Sequence, residues 1–204
     1  MKTIITISRQ YGSGGREVAE KLAKEYDIPL YDKQLIKEAC KESGYSEDIL
    51  KGLDEKKSTN FLYSIALDPW GVNEVGGVPL DQKIQSAIRH TILDLSKNGG
   101  CVFVGRCADD VLSETPDVLN VFIYADKEFR KRRVHKEYLP SVNIDKLDRI
   151  IRKKDKERES YHNYYSLTKW GDPETYDLCL NSSKLGIVGC VNIIKETINT
   201  VFHE

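Results

Sequence analysis

The sequence predicts an α/β fold in which a five-stranded, mostly parallel sheet carries helices on both faces. Short apolar, β-branched runs alternate with segments of helical periodicity along the chain, which is the pattern of consecutive strand–helix–strand units. The length of 204 residues suits one domain, or one core with an inserted lobe. We therefore expect a single domain over residues 1–204, with strands that begin near residues 4, 28, 101, 118 and 176.

The first 23 residues form the unit around which the other elements are arranged. Residues 4–8 read Ile-Ile-Thr-Ile-Ser, a run typical of a buried strand. A glycine-rich loop at 12–15 follows, and residues 18–23 then show helical spacing. A strand, a glycine loop and a helix in this order direct backbone N–H groups and a helix N-terminus at an anion. The loop predicts a phosphate site, with a βα turn whose glycines serve packing alone as the alternative.

This loop departs from the P-loop pattern G-x-x-x-x-G-K-[ST]. When Gly14 is aligned with the second glycine, Arg9 occupies the position of the first glycine and Gly15 that of the lysine. The lysine that holds the phosphates is therefore missing from its usual position. Two basic residues stand nearby, Arg9 before the loop and Arg16 after it, and either could supply the missing charge.

The composition argues against several classes of function. There are 31 Lys and Arg residues against 32 Asp and Glu, and the net charge of −1 gives no support to general nucleic-acid binding. The five cysteines show neither a CxxC pair nor a Cys/His metal spacing, and an odd number without a framework is typical of a reducing compartment. The chain begins directly in a strand, and no apolar run approaches a membrane span. We expect a cytoplasmic protein without nucleic-acid or membrane partners.

A second short strand, at residues 28–32, ends at Asp32, which lies where α/β folds place ligand-contacting residues. Asp32 is equally suited to cap the helix predicted from residue 33 to residue 40. Glycine and proline then interrupt residues 41–80 repeatedly. We therefore predict an inserted segment over residues 33–80, followed by a helix that begins at residue 81 and ends at the glycine pair 99–100.

The later strands predict a ligand crevice and a C-terminal helix. Residues 101–104 form an apolar strand that ends in Gly105-Arg106, and an arginine directly after a central strand faces the crevice at the sheet edge. Residues 118–124 and 176–181 are the last two predicted strands. The amphipathic pattern of residues 185–202 predicts a final helix.

Two arginine-rich segments follow the strand at 118–124. Arginines and lysines stand at positions 130–133 and again at 149, 152–154 and 158. Acidic residues are interleaved with them, so a solvated helix face is one interpretation. Arginine also suits bidentate contacts to phosphate, so two helices joined by a flexible segment near 134–146 could close over a triphosphate as a lid. We interpret residues 130–158 as a lid-like segment.

These features together resemble the cytidylate kinase family, more closely its cytidylate kinase-like branch, over nearly the whole chain. Gly12-Ser13-Gly14 is similar to the GSG of the family's GPSGSGKGT loop, Tyr31-Asp32 to its LDTG segment, and Gly105-Arg106 to the GR of its DGRD segment. The resemblance implies the three-layer P-loop fold of the nucleoside monophosphate kinases, with an inserted acceptor-binding segment at residues 33–80.

The lid-like segment carries the rest of the resemblance. Ala125 with Arg130, Arg132 and Arg133 follows the pattern A-x(4)-R-x-R-R that opens the family's lid. Asp155 and Arg158 fit its later pattern D-x-x-R.

The family moves the γ-phosphoryl group of ATP to CMP or dCMP with Mg²⁺. The resemblance therefore implies ATP-dependent phosphoryl transfer to a nucleoside monophosphate, with CMP or dCMP as the expected acceptor. ATP and Mg²⁺ are the implied cofactors, and small-molecule nucleotides are the implied partners. The alternative is a non-catalytic nucleotide- or phosphate-binding regulatory domain with a degenerate P-loop. The lid arginines favour catalysis, whereas the missing loop lysine favours binding alone.

Four positions depart from the family's motifs. Gly15 replaces the loop lysine, and Glu17 replaces the threonine whose hydroxyl reaches Mg²⁺. Val104 and Cys107 replace the two aspartates that flank the family's GR pair. A carboxylate is a good ligand for a hard cation, so Glu17 is the predicted metal ligand, held directly or through water. The alternative is that Glu17 only favours the helix N-terminus, where it would repel a phosphate.

The loop and the resemblance together assign the predicted site residues. The expected catalytic residues are Arg16, Arg130 and Arg158, and Asp32 and Arg106 are expected to face the acceptor. The ATP phosphates are expected on Gly12, Ser13, Gly14, Gly15, Arg16, Glu17 and Arg133.

The position of Arg16 beside the loop generates a first prediction. We expect Arg16→Ala to weaken triphosphate binding more than Arg149→Ala, because only Arg16 stands next to the glycines. Isothermal titration calorimetry with ATP measures both affinities. Equal affinities would remove Arg16 from the site.

Overall fold

A computed structural model describes residues 2–32, 74–75 and 78–202. Its chain contacts form two compact units, one of residues 1–32 with 98–204 and one of residues 33–97. The predicted inserted segment at 33–80 lies outside the described residues apart from two short strands, and the helix predicted over 33–40 lies wholly outside them. All candidate site residues named above belong to the first unit.

The first unit opens with strand β1 (Ile4–Arg9), helix α1 (Gly15–Tyr26) and strand β2 (Leu30–Tyr31). The second unit contributes an antiparallel pair, β3 (Glu74–Val75) and β4 (Val78–Pro79), and helix α2 (Leu80–Ser96). The first unit then continues with β5 (Val102–Val104), α3 (Ala108–Val111) and β6 (Val118–Tyr124). Its last elements are α4 (Lys127–Arg133), a π-helical turn (Val134–Tyr138), α5 (Ile144–Tyr165), a 3₁₀ turn (Pro173–Thr175), β7 (Leu178–Asn181) and α6 (Ser182–Phe202).

The main sheet confirms the predicted fold class. Its five strands lie in the order β2–β5–β1–β6–β7, and every neighbouring pair is parallel. Ile7 in the central strand β1 lies beside Val104 of β5 and Val121 of β6. The chain therefore crosses to opposite sides of β1, which places a crevice at the carboxyl end of that strand. The glycine loop and Gly105-Arg106 both lie at this edge.

The alternation of side chains in β1 explains its composition. Ile5 and Ile7 point into the main core, where they pack with residues of α1 and α6. Thr6 and Ser8 are buried on the opposite face, because successive strand residues alternate between faces. There Thr6 Oγ1 donates to Asn120 Oδ1 at 2.6 Å. The Thr6 hydroxyl is thus hydrogen-bonded inside the protein.

Helix α6 is long and apolar enough, by length and composition alone, to cross a membrane. This corrects the expectation that no segment of the chain reaches that threshold. Residues Cys190, Val191, Ile194 and Ile198 are nevertheless buried in the main core, so this face of α6 packs on the sheet. The core helix of a soluble protein and a membrane span meet the same criterion of length and composition.

The connection between the two arginine-rich helices is partly helical. The π-helical turn continues directly from α4 and α5 begins at Ile144, so residues 139–143 are the part of the predicted flexible segment 134–146 that lacks helical structure. Val134, Leu147 and Ile151 form a small buried cluster against which Tyr11 packs. This apolar burial orders the connection and seats the lid-like segment on the glycine loop.

Ser182 connects the glycine loop to the end of β6 through its hydroxyl group, and this contact generates a second prediction. Its buried Oγ lies 2.6 Å from the carbonyl oxygen of Ser13 and 3.1 Å from that of Tyr124. Ser182→Ala leaves these carbonyls without that donor, and we expect a loss of about 1–3 kcal/mol in the free energy of unfolding. Chemical denaturation measures this loss.

The matched control is Ser113→Ala, because Ser113 is exposed. It should change the free energy of unfolding by less than about 0.5 kcal/mol. The same free energy of unfolding in both variants would contradict a fastening role for Ser182.

Candidate phosphate-transfer site

The glycine loop has the geometry of an anion cradle. Gly12 and Gly14 have φ values of 82° and 83°, in the left-handed region that favours glycine. Gly14 caps α1 without a side-chain hydrogen bond, and the first helical bond runs from Val18 N to Gly14 O at 3.0 Å. The preceding N–H groups of α1 have no partner within the helix and are available to a ligand.

Close packing also requires glycine in this loop. A Cβ on Gly12 would lie 2.7 Å from Val134 Cγ2 and 2.9 Å from the carbonyl oxygen of Arg130. The loop is therefore pressed against the first part of the lid-like segment. Ser13 is buried, and both its N–H and its Oγ donate to Gln10 O, at 3.3 and 2.9 Å. Its side chain thus shapes the loop from within.

Six arginines surround the loop, and three of them are paired with carboxylates. Arg16 is one of these. Its Nη2 lies 3.0 Å from Asp32 Oδ2 and its Nε lies 2.9 Å from Glu20 Oε1. The Arg16 side chain is 58% exposed. The structure thus brings the predicted residues Arg16 and Asp32 together on the outer side of α1.

Arg130 is held by Asp155 in α5. Arg130 Nη1 forms a short ion pair with Asp155 Oδ2 and lies 3.4 Å from the carbonyl oxygen of Tyr11. Asp155 Oδ1 also accepts a hydrogen bond of 2.7 Å from Tyr11 N. One carboxylate therefore links the glycine loop, α4 and α5. The sequence motif contained Asp155, but its spacing did not reveal this contact with the loop.

Arg133 lies between two glutamates. Its Nη2 is 3.1 Å from Glu17 Oε2 and 2.6 Å from Glu137 Oε2. Glu17 belongs to the first turn of α1, so this pair joins the lid-like segment to the helix that follows the loop. The Nε of Arg133 is buried and has no hydrogen-bond partner within the described part of the chain.

The other three arginines are Arg9, Arg106 and Arg158. They are half-buried and have no carboxylate within ion-pair distance among the described residues. Arg158 Nη1 donates to the carbonyl oxygen of Arg9 at 2.9 Å, and its guanidinium stacks over the ring of Tyr11 at 5.4 Å. Arg106 lies 5.1 Å from the centre of the Tyr161 ring. These three form the unpaired arginine cluster.

The charges in this cluster oppose one another. Burial, followed by the charges of Arg158, Arg106 and Arg16, lowers the pKa of Arg9, while Asp32 offsets part of this effect. Burial also lowers the pKa of Arg158, an effect that the charge of Asp155 offsets in part. Partly desolvated cations that repel one another favour an anion in their midst. The cluster is therefore suited to a phosphate group.

The backbone after β5 is unusual and presents Arg106 to the crevice. Gly105, Arg106 and Cys107 have φ values of 74°, 63° and 53°. Left-handed conformations in two consecutive non-glycine residues cost free energy and tend to occur at functional sites. The sequence placed Arg106 at the strand end, but no pattern in it predicted this backbone.

The residues present fit ATP better than a metal bound by the protein alone. The loop N–H groups and the arginines match phosphate oxygens. Across residues 2–32, 74–75 and 78–202, no three Asp, Glu, His or Cys side chains converge as a metal site. Glu17, the predicted metal ligand, stands beside the loop in its ion pair with Arg133. Since Mg²⁺ commonly uses one or two carboxylates plus substrate phosphates, Glu17 fits a metal that arrives with the nucleotide.

Comparison with known proteins identifies the family of this chain. A model of the cytidylate kinase-like family matches residues 4–184. The cytidylate kinase of Methanosarcina barkeri is 25% identical over 198 residues, which are 97% of each chain.

Solved structures give the same result for the fold. An uncharacterized protein from Eubacterium ventriosum superimposes with a TM-score of 0.74 and 30% identity, over 97% of this chain and 99% of that one. A shikimate kinase from Bacteroides thetaiotaomicron has a TM-score of 0.52 and 13% identity, over 97% and 98% of the two chains, and shares the fold. Because the family model spans the glycine loop, the sheet and the lid-like segment, the chain belongs to the cytidylate kinase-like family.

Proposed function

We propose that this protein transfers the γ-phosphoryl group of ATP to a nucleoside monophosphate, with CMP or dCMP as the acceptor. The unpaired arginine cluster beside the glycine loop is the observation that carries this proposal. Phosphoryl transfer asks little covalent chemistry of a protein and depends on positioning and positive charge. A loop of N–H groups next to three half-buried guanidinium groups supplies both.

The donor and the acceptor occupy different parts of this site in the proposal. The ATP phosphates lie on the N–H groups at the start of α1, with Arg133 and Glu17 close by. The acceptor lies toward Asp32 and Arg106, which follow the neighbouring strands β2 and β5. Arg158 reaches the region between them from α5. When bound, Mg²⁺ neutralises charge on the phosphates, and Glu17 is the residue that would hold it.

The paired arginines give the lid-like segment a way to respond to the donor. Arg130 and Arg133 are bound to Asp155 and Glu17, two carboxylates that touch or flank the loop. A phosphate oxygen is negatively charged, as a carboxylate oxygen is, and it accepts the same hydrogen bonds from an arginine. Bound ATP therefore competes with Glu17 for Arg133 and draws the lid arginines onto the phosphates. This movement of the lid-like segment toward the phosphates also excludes water from the reacting group.

The alternative, a non-catalytic regulatory domain, requires only donor binding. The unpaired arginines weigh against it, because they extend from the loop to the end of β5, beyond what is needed to hold a triphosphate. The membership in a kinase-like family also favours catalysis. We further propose that the enzyme works in the cytoplasm on free nucleotides, with no nucleic-acid or membrane partner.

The reaction itself provides the third prediction. With ATP and Mg²⁺, we expect CMP and dCMP to give the matching diphosphate and ADP, and UMP, AMP and GMP to react more slowly. Turnover should fall in the kinase range of about 1–100 s⁻¹. The measurement is chromatographic separation of nucleoside diphosphates, with a reaction without acceptor as the background for ATP hydrolysis.

Variants separate catalysis from simple binding in the same assay. Arg158→Ala should lower kcat/KM by about 100-fold or more, because a positioned cation is lost from the transferring group, while the exposed Arg149→Ala should retain activity. Saturable ATP binding without any diphosphate product would support the regulatory alternative instead.

A further inference from the structure

Arg9 and Gly15 compete for one space. A Cβ built on Gly15 would lie 2.6 Å from Arg9 Cβ and 3.0 Å from Arg9 Cγ, closer than side-chain carbons approach. Gly15 does not have a left-handed φ, so its backbone conformation does not demand glycine. The side chain of Arg9 is the main obstacle, because Arg9 passes over the position where a side chain at 15 would begin. Ile123 Cβ is a lesser one, at 3.2 Å from the same Cβ.

The far end of Arg9 is accommodated by a second glycine. A Cβ on Gly105 would lie 2.5 Å from Arg9 Nη1. Arg9 therefore starts beside the glycine loop and ends beside the residue that follows β5. In the proposed function, the loop holds the donor and Arg106 faces the acceptor. The Arg9 guanidinium thus occupies the region between the two substrates, where the transferred group passes.

The surroundings of Arg9 call for an anion. Within the described ranges Arg9 has no ion-pair partner, and Arg158 and Arg106 are its near cationic neighbours. The nearest offsetting carboxylate, Asp32, is already 3.0 Å from Arg16. A guanidinium in this position presents several N–H donors in a fixed plane. Two phosphate oxygens can accept from it at once.

We infer that Arg9 performs the task of the missing loop lysine and binds the transferring phosphoryl group from the β5 side of the loop. In the usual pattern, glycine stands at the first loop position and lysine six residues later. Here the same two positions hold Arg9 and Gly15, so the large and small side chains have exchanged places. This inference rests on the proposed function, and it makes Arg9 a catalytic residue for that reaction.

An exchange experiment tests the inference and is the fourth prediction. The variants are Arg9→Gln, Arg9→Gly, Gly15→Lys and the double variant Arg9→Gly/Gly15→Lys. Inorganic tripolyphosphate and ATP are titrated by calorimetry, and nucleoside diphosphate formation is measured in parallel. Arg9→Gln keeps most of the aliphatic packing and removes the charge, so it remains informative if Arg9→Gly fails to fold. Thermal melting checks each variant.

Each single change should weaken tripolyphosphate binding by about 10- to 100-fold, the range expected for loss of a charge-assisted hydrogen-bonding group. Gly15→Lys should lose affinity although it adds a positive charge, because the new side chain collides with Arg9. The double variant removes that collision and restores the usual P-loop order of glycine and lysine. It should bind tripolyphosphate at least about tenfold more tightly than Gly15→Lys alone, which is the lower end of the range given above.

Two matched controls complete the experiment. Arg149→Ala removes an exposed arginine of α5 outside the site and should bind tripolyphosphate as the wild type does. Arg16→Ala removes the neighbouring arginine that is paired with Asp32 and Glu20, and it should weaken binding less than Arg9→Gln.

The outcomes separate this inference from the proposed reaction. Wild-type affinity in a folded Arg9→Gln variant would overturn the role of Arg9. A double variant that binds no better than Gly15→Lys would overturn the exchange. Arg9-dependent tripolyphosphate binding without formation of any nucleoside diphosphate would support the inference and overturn the proposed function.

Discussion

The space between the glycine loop and the end of β5 admits one long side chain, and the rest of the site depends on this constraint. Arg9 fills that space, and Gly15 and Gly105 are small on either side of it. Arg158 then donates to the Arg9 carbonyl, which places a second guanidinium in the same region. The side chain of Arg9 thus requires small residues at positions 15 and 105, whereas Arg158 hydrogen-bonds the backbone of residue 9.

Charge balance divides the arginines of the site into two sets. Those of α1 and α4 are paired with carboxylates from α1, the β2 end, α5 and the π-helical turn. Those nearest the carboxyl ends of β1 and β5 are unpaired among the described residues. An arginine that is paired with a carboxylate connects two elements, and its charge is balanced within the protein. An unpaired and partly buried arginine instead favours a bound ligand of opposite charge. The first set connects the lid-like segment to the loop and to α1, and the second is the proposed phosphate site.

The fold was predictable from the sequence because it follows from periodicity. All five strands of the main sheet were expected, since β-branched runs alternate with helical segments, and each was found within two residues of its predicted start. The site was less predictable. Arg16 and Arg9 both flank the loop in sequence, but only the structure shows that Arg16 pairs with Glu20 and Asp32 while Arg9 runs across Gly15. Spacing gives neither the direction of a side chain nor the contact of Asp155 with the loop.

The crowding of Arg9 against Gly15 has an evolutionary consequence. If position 15 alone gains a side chain, that side chain collides with Arg9. If Arg9 alone becomes glycine, the loop loses the guanidinium that we infer takes the place of the lysine. Under that inference both single changes impair the site, so single substitutions do not readily convert one loop arrangement into the other. Searches that require a lysine after the second glycine would overlook members of the family that carry this loop. A search pattern that allows a basic residue at one of the two positions, 9 or 15 in this chain, and glycine at the other would find them.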